Sequence, residues 1–223
     1  MKYDIIHTNR KTMALYIRND GRIEVRAPQN INRNTIEAFV RSKQDWIYKK
    51  LQLTKQNMLL KETHQLSYGD EIYYLGQPYP IYGREGNRIG FQQGFYVPYE
   101  LSKDEIKDAV IQVYKLLAKN ILQNKVQYYA QLMQVSPSSI RVNSAKTRWG
   151  SCSSKRGINF SWRLIMADES VVDYVVVHEL SHLKEMNHSK QFWAIVEMYL
   201  PAYKEEKKKL KALEQRLRSE VWD

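Results

Sequence analysis

A single cysteine, Cys152, stands in a chain of 223 residues. An internal disulfide is therefore excluded, and with it the small disulfide-stapled secreted scaffolds. A closed structural zinc site is disfavoured too, since such sites usually take four ligands, mostly thiolates. No run reaches the eighteen or so apolar residues of a membrane span. The start, Met1-Lys2-Tyr3-Asp4, lacks the basic, apolar, small-residue order of a signal peptide. These absences lead to the expectation of a soluble cytoplasmic protein that does not contact a membrane. There is also no Gly-rich phosphate loop, no internal repeat and no low-complexity tract.

What the chain does contain argues for a folded globular protein. Hydrophobic residues make up 43% and aromatic residues 12%, above the range of disordered chains. Basic residues outnumber acidic ones 35 to 24, a net charge of +11. That balance is compatible with polyanion binding, but no recognisable nucleic-acid motif accompanies it.

Three of the five histidines fall in one short stretch, His178-Glu179-Leu180-Ser181-His182 followed by His188. On an α-helix, residues four apart lie one above the other, so His178 and His182 project from one face. Two neutral imidazoles placed so can hold one zinc ion at about 2.0–2.1 Å each. Glu179, one position along, can reach the water such an ion activates without displacing it, as a general base must. A catalytic zinc takes three protein ligands, and His188 is the obvious third. Glu197, one helix downstream, is its rival by analogy with His-His-Glu sites. A continuing helix would carry residue 188 off the ligand face, so the helix is expected to end near Met186-Asn187, with Asn187 in a left-handed turn. Ser189 then caps the next helix, whose stripe is Phe192, Ile195, Val196 and Tyr199, and Pro201 stops it.

The run from His178 through Asn187-His188-Ser189-Lys190-Gln191-Phe192-Trp193 resembles the signature of the YgjP-like metallopeptidases of bacteria, relatives of the SprT-like and WLM-type zinc proteases. Thr147-Arg148-Trp149-Gly150-Ser151-Cys152-Ser153 and Ile158-Asn159-Phe160-Ser161-Trp162-Arg163-Leu164 are similar to the same family. The resemblance implies zinc bound by His178, His182 and His188, with Glu179 as base. The spacing to the third histidine is also that of metzincins. Those have glycine where this chain has Glu185, and no Met-turn follows here.

Taken in order, Met13, Leu15 and Ile17 answer Ile23, Val25 and Ala27 across the turn Asn19-Asp20-Gly21, a hairpin. Asn34 and Glu37 read as a capping box for one helix running to about residue 60, with a basic outer face. Strands are expected at Glu71–Leu75, Tyr79–Tyr82, Arg88–Gln92 and Phe95–Val97. Residues 1–100 thus read as a β-rich module with one helix, in which His7 and His64 are ordinary structural histidines. Ser102 and Glu105 box the start of a long helix that ends before Ser136-Pro137. Ile140–Asn143 is a strand, and Thr147–Cys152 pairs with Ile158–Leu164. Asp168 caps the active-site helix. The valine-rich run 171–177 reads as strand on propensity, and is assigned to helix because the histidine pair demands it. Residues 101–223 form the second domain. Its last helix carries Leu210, Leu213, Leu217 and Val221 on one face, with Lys204, Lys207, Lys208, Lys209 and Lys211 as a solvated face. The competing reading of that face is a nucleic-acid or acidic-partner contact.

The fold class that follows is α+β: a zincin-like metallopeptidase domain, its active-site helix packed on a small antiparallel sheet, preceded by the β-rich module. The expected function is peptide hydrolysis with zinc as cofactor and a polypeptide as substrate. Two alternatives stand beside it. One is a metal-dependent nucleotide phosphoanhydride hydrolase. The other is a nucleic-acid-associated repair protease or binding module, to which the resemblance to WLM-type proteases, acting at DNA–protein adducts, lends weight. Arg148, Asn159 and Arg163, on the hairpin that flanks the metal helix, are the substrate-binding candidates. The competing reading of the two arginines is as salt-bridged framework residues. Cys152 reads as a small core residue, and Trp149, Trp162 and Trp193 as core aromatics.

Overall fold

The computed structural model of the protein describes every residue except 19, 64, 218–221 and 223, and the backbone alone over 57–63. His64, Asn19 and Val221 therefore lie outside the described residues. The chain separates into two compact units, with the boundary between residues 64 and 65.

The first unit opens with strands β1 (Asp4–Thr8), β2 (Ala14–Ile17) and β3 (Ile23–Pro28). β2 and β3 form the expected antiparallel hairpin, and β1 joins the other edge of β3 in parallel. Two helices follow where one was expected: α1 (Arg33–Ser42) and α2 (Gln44–Thr63). The cap of α1 is Asn32, whose side chain accepts from the Thr35 backbone N–H at 2.8 Å; Asn34 already lies inside the helix. Ile23, Val25, Ala27, Ile36, Val40 and Ile47 close this small core.

The second unit starts with β4 (Glu71–Tyr74), β5 (Gln77–Arg84), β6 (Gly90–Phe91) and β7 (Phe95–Pro98), a sheet in the order β4-β5-β7-β6. The boundary near residue 100 read from the sequence is displaced for a packing reason. Ile72, Ile81, Phe95 and Val97 share one hydrophobic core with the helices that follow. First among these is α3 (Lys103–Leu132), capped by the Ser102–Glu105 box. A second sheet, in the order β8-β10-β9, comprises β8 (Ser139–Asn143), β9 (Gly150–Cys152) and β10 (Gly157–Ser161). It is mixed: β9 runs antiparallel to β10, and β8 parallel to it. β10 stops at Ser161, and residues Trp162–Met166 coil into a 3-10 helix rather than extending the strand.

Then come α4 (Glu169–Ser181), α5 (Lys190–Tyr199) and α6 (Tyr203–Leu217). α4 is the central element, packed against α3, α5, α6 and β9. Val171, Val172, Val175, Val176 and Val177 are all buried, at 3% exposure or less. This settles the conflict in the sequence. A valine costs a helix at most about 0.7 kcal/mol relative to alanine, whereas burying its side chain contributes about 1.5–3 kcal/mol. Burial wins, and a helix that is apolar all round belongs inside. Lys125 of α3 fixes the rotation of α4 by donating to Glu169 at 2.8 Å and to Asp173 at 2.7 Å. Asp168 occupies the N-cap position of α4 but makes no side-chain cap bond. It lies instead against Gly76, in the left-handed region at φ +79°, where a Cβ would come within 2.2 Å of Asp168 Oδ1. No helix among the described residues is long and apolar enough to cross a membrane.

Candidate metal centre

α4 ends earlier than the histidine spacing suggested. His182 is itself the C-cap, still in right-handed helical geometry, so it keeps its place one turn above His178. Tight turns then reverse the chain, with the N–H groups of Lys184 and Glu185 both donating to the Ser181 carbonyl at 3.0 Å. Asn187 does not adopt positive φ. Ser189 caps α5, its hydroxyl accepting from the Phe192 N–H at 3.2 Å. His188, directly before that cap, is swung back over the ligand face.

One nitrogen from each of His178, His182 and His188 lies within 4.8 Å of the others. Nε2 of His178 and Nε2 of His188 are 3.0 Å apart, close to the separation of two ligands each about 2.0–2.1 Å from one ion. Burial, reinforced by the neighbouring His182, His188 and Lys207, pushes the pKa of His178 down to about 3. Burial also lowers that of His182. Both imidazoles are thus neutral at physiological pH, with lone pairs free to ligate. His182 Nδ1 lies 3.3 Å from the Glu185 carbonyl. Donation there selects the tautomer that leaves Nε2 as the ligand atom. The donor set and its protonation fit a divalent metal.

Phe192 is the floor of this cluster. It is fully buried, and its ring centroid is 4.9, 4.6 and 4.7 Å from those of His178, His182 and His188. Trp193 is the wall, stacked on His188 at 5.7 Å and backed by Tyr203 at 5.3 Å. His178 Nδ1 is buried with no hydrogen-bond partner among the described residues. Its ring is held by packing against Tyr174, Phe192 and Trp193 rather than by the carbonyl or carboxylate that usually orients a ligating histidine. The sequence alone reads Phe192 as part of the apolar stripe of α5 and Trp193 as a core aromatic. Their position in the first turn of a helix capped directly after His188 is the signal that could have marked them.

Glu179 points the other way round α4, toward β9. It is 6% exposed, and burial pushes its pKa up to about 7, opposed by the positive charge of Arg148. The close approach of strand and carboxylate depends on Gly150. A Cβ there would stand 2.5 Å from Glu179 Oε1 and 2.6 Å from its Cγ. Gly150 was not among the candidates read from sequence, where nothing distinguishes it from a turn glycine. Gly150→Ala is expected to keep the metal while reducing turnover by about 10²-fold, because the added methyl pushes the Glu179 carboxylate out of place. Metal content and rate on one preparation check this.

The three substrate-binding candidates separate. Arg148 is exposed just before β9 and within electrostatic reach of Glu179. Asn159 pairs with Ser151 and Arg141, whereas Ile158 and Phe160 pair with Cys152 and Gly150. Because side chains alternate along a strand, Asn159 lies on the sheet face opposite Gly150, away from Glu179. Arg163 is buried in the 3-10 helix, donating to the carbonyls of Ser144 at 3.2 Å and Trp222 at 2.5 Å. It is framework. Glu197, the rival ligand, is exposed on α5 and pairs with Lys204 at 3.7 Å, and among the described residues it joins no metal-competent cluster.

β9 is an edge strand. Trp149 O accepts from Ser161 N at 2.8 Å, and Ser153 N donates to Gly157 O at 2.9 Å. By the alternation of antiparallel pairing, Gly150 and Cys152 turn their N–H and C=O groups away from β10. Cys152 is a half-buried free thiol whose pKa is raised chiefly by burial.

No curated protein matches the chain. Among solved structures, the crystal structure of the metallopeptidase zymogen of Pyrococcus abyssi abylysin is similar at 22% identity and a TM-score of 0.38, covering 41% of this chain and 92% of that one. The model of the YgjP-like metallopeptidase domain matches residues 11–213, a span that takes in the histidine cluster, Glu179 and β9, and the chain belongs to the YgjP-like metallopeptidase family.

Proposed function

We propose that the protein is a zinc metallopeptidase that hydrolyses peptide bonds of extended polypeptides, with His178, His182 and His188 as zinc ligands and Glu179 as general base. One observation carries this reading: a cluster of three histidine nitrogens gathers at the end of α4, which bears, next in sequence to His178, a buried carboxylate packed against Gly150 of the edge strand β9. When bound, zinc supplies a Lewis acid that makes water a competent nucleophile near neutral pH and polarises a carbonyl. Glu179 removes the proton of the attacking water and returns it to the leaving amine nitrogen. A pKa of about 7 suits both transfers, because a carboxyl poised near the working pH can accept and release a proton at comparable cost. The outward backbone groups of Gly150 and Cys152 bind the substrate main chain as an added strand, which fixes register without demanding a sequence. Arg148 offers a donor beside the developing oxyanion.

A nucleotide would need several fixed N–H or cationic donors for its phosphates. The N-terminus of α4 carries Asp168 and Glu169 instead, and a phosphate there would be repelled. The test is to offer zinc-loaded protein an unfolded polypeptide and a panel of nucleoside triphosphates, with Arg148→Glu as a variant checked for zinc and folding. The expected result is new peptide N-termini and intact nucleotides. Cleavage of nucleotides alone, abolished by Arg148→Glu, would overturn the peptidase reading.

A further inference from the structure

α6 presents five lysines, and four of them are accounted for by their surroundings or their distance from the metal centre. Lys204 pairs with Glu197 at 3.7 Å, Lys208 with Glu205 at 2.9 Å and Lys209 with Glu206 at 3.1 Å. Lys211 lies one turn further along the helix from Lys207. Lys207 is different. It is exposed and makes no ion pair among the described residues, and its Nζ lies 4.8 Å from the centroid of Trp193. That indole is stacked on His188 and is 5.7 Å from the ring of His178. The ammonium is thus held one ring away from the metal centre by a cation–π contact.

The acidic groups nearby are already engaged. Glu179 is buried on the β9 side of α4, the Glu185 carboxylate accepts from the Asn187 N–H at 3.3 Å, and Glu197 faces Lys204. A cation fixed at the rim of a metal centre, with no carboxylate among the described residues paired to it, is complementary to an anion brought by the substrate. We propose that Lys207 binds an acidic side chain of the polypeptide substrate beside the metal centre, so that acidic polypeptides are the preferred substrate class. The inference rests on the peptidase reading above and names the substrate of that same site.

The test separates binding from turnover. Zinc-loaded Glu179→Gln protein, which holds substrate without cleaving it, is titrated with fluorescent peptides identical except for Glu, Gln or Lys at the positions flanking one central bond. Binding is read by anisotropy at two salt concentrations. The Glu peptide is expected to bind about fivefold more tightly than the Gln peptide, the scale of one exposed ion pair, and the gap should narrow in high salt. Lys207→Glu should erase or reverse the order, and Lys207→Gln should erase it. Lys208→Glu carries the same charge change about 100° round the helix, and should leave the order intact. Zinc content and melting temperature confirm that each variant is folded. Equal binding of all three peptides, or an order that survives Lys207→Glu, overturns the inference. So does a nucleoside triphosphate that outcompetes every peptide through Lys207. Turnover by the wild-type protein is scored apart. A Lys207-dependent preference without hydrolysis of any peptide would leave the binding inference standing and sink the peptidase reading.

Discussion

Glu179→Gln is expected to retain one zinc per chain and to lose turnover by about 10²–10⁴-fold, the usual span for a general base. The amide keeps the volume of the carboxyl, so the packing of α4 on β9 and the narrow fit against Gly150 survive. What disappears is the group proposed to take the proton. The side chain is 6% exposed, so bulk water has little access with which to substitute for it. None of the three clustered nitrogens belongs to Glu179, so metal content should not respond. A normal rate at full zinc occupancy would remove Glu179 from the mechanism.

The second large effect is expected at the proposed third ligand, His188. His188→Ala should abolish stoichiometric zinc binding, while Glu197→Ala should leave it unchanged. His188 contributes Nε2 at 3.0 Å from Nε2 of His178, whereas Glu197 is half-exposed and turned to Lys204. Loss of one of the three proposed protein ligands leaves two imidazoles four residues apart, too few to hold the ion against dilution and chelators. Metal analysis after gel filtration decides the matter. Full zinc in His188→Ala together with loss in Glu197→Ala would reassign the third ligand.

Much of this centre was legible in the sequence because its logic is local. Residues four apart on a helix share a face whatever the tertiary structure, and a serine before an apolar helical stripe marks a cap. That is why the convergence of His178 and His182, the α5 start at Ser189 and the Ser102–Glu105 box could be read from spacing. The features that escaped depend on contacts far along the chain. α4 ends at Ser181 because its carbonyl accepts from Lys184 and Glu185, and no residue type there announces a stop. Asn159 and Gly150 fall on opposite faces of one small sheet, and a single step in register interchanges such faces. Arg163 looked like a hairpin residue until the strand coiled into a 3-10 helix that turned it inward to Ser144 and Trp222. The early unit boundary has the same origin, since β4, β5 and β7 bury their apolar residues with α3 and α4 rather than with the first sheet. Propensity misleads most at the valine run, where burial outweighs rotamer entropy.

His178, His182, His188 and Glu179 are proposed to form a metal-dependent peptide-hydrolysing centre. Its most direct test is the rate at which new α-amino groups appear in an unfolded polypeptide treated with zinc-loaded protein, the same protein after chelation, and the chelated protein after zinc is restored. Hydrolysis that vanishes with the metal, returns with it, and stays absent in Glu179→Gln is the predicted result. Hydrolysis that persists through chelation, or none from fully loaded wild-type protein, would rule out a metal-dependent peptidase centre at these residues.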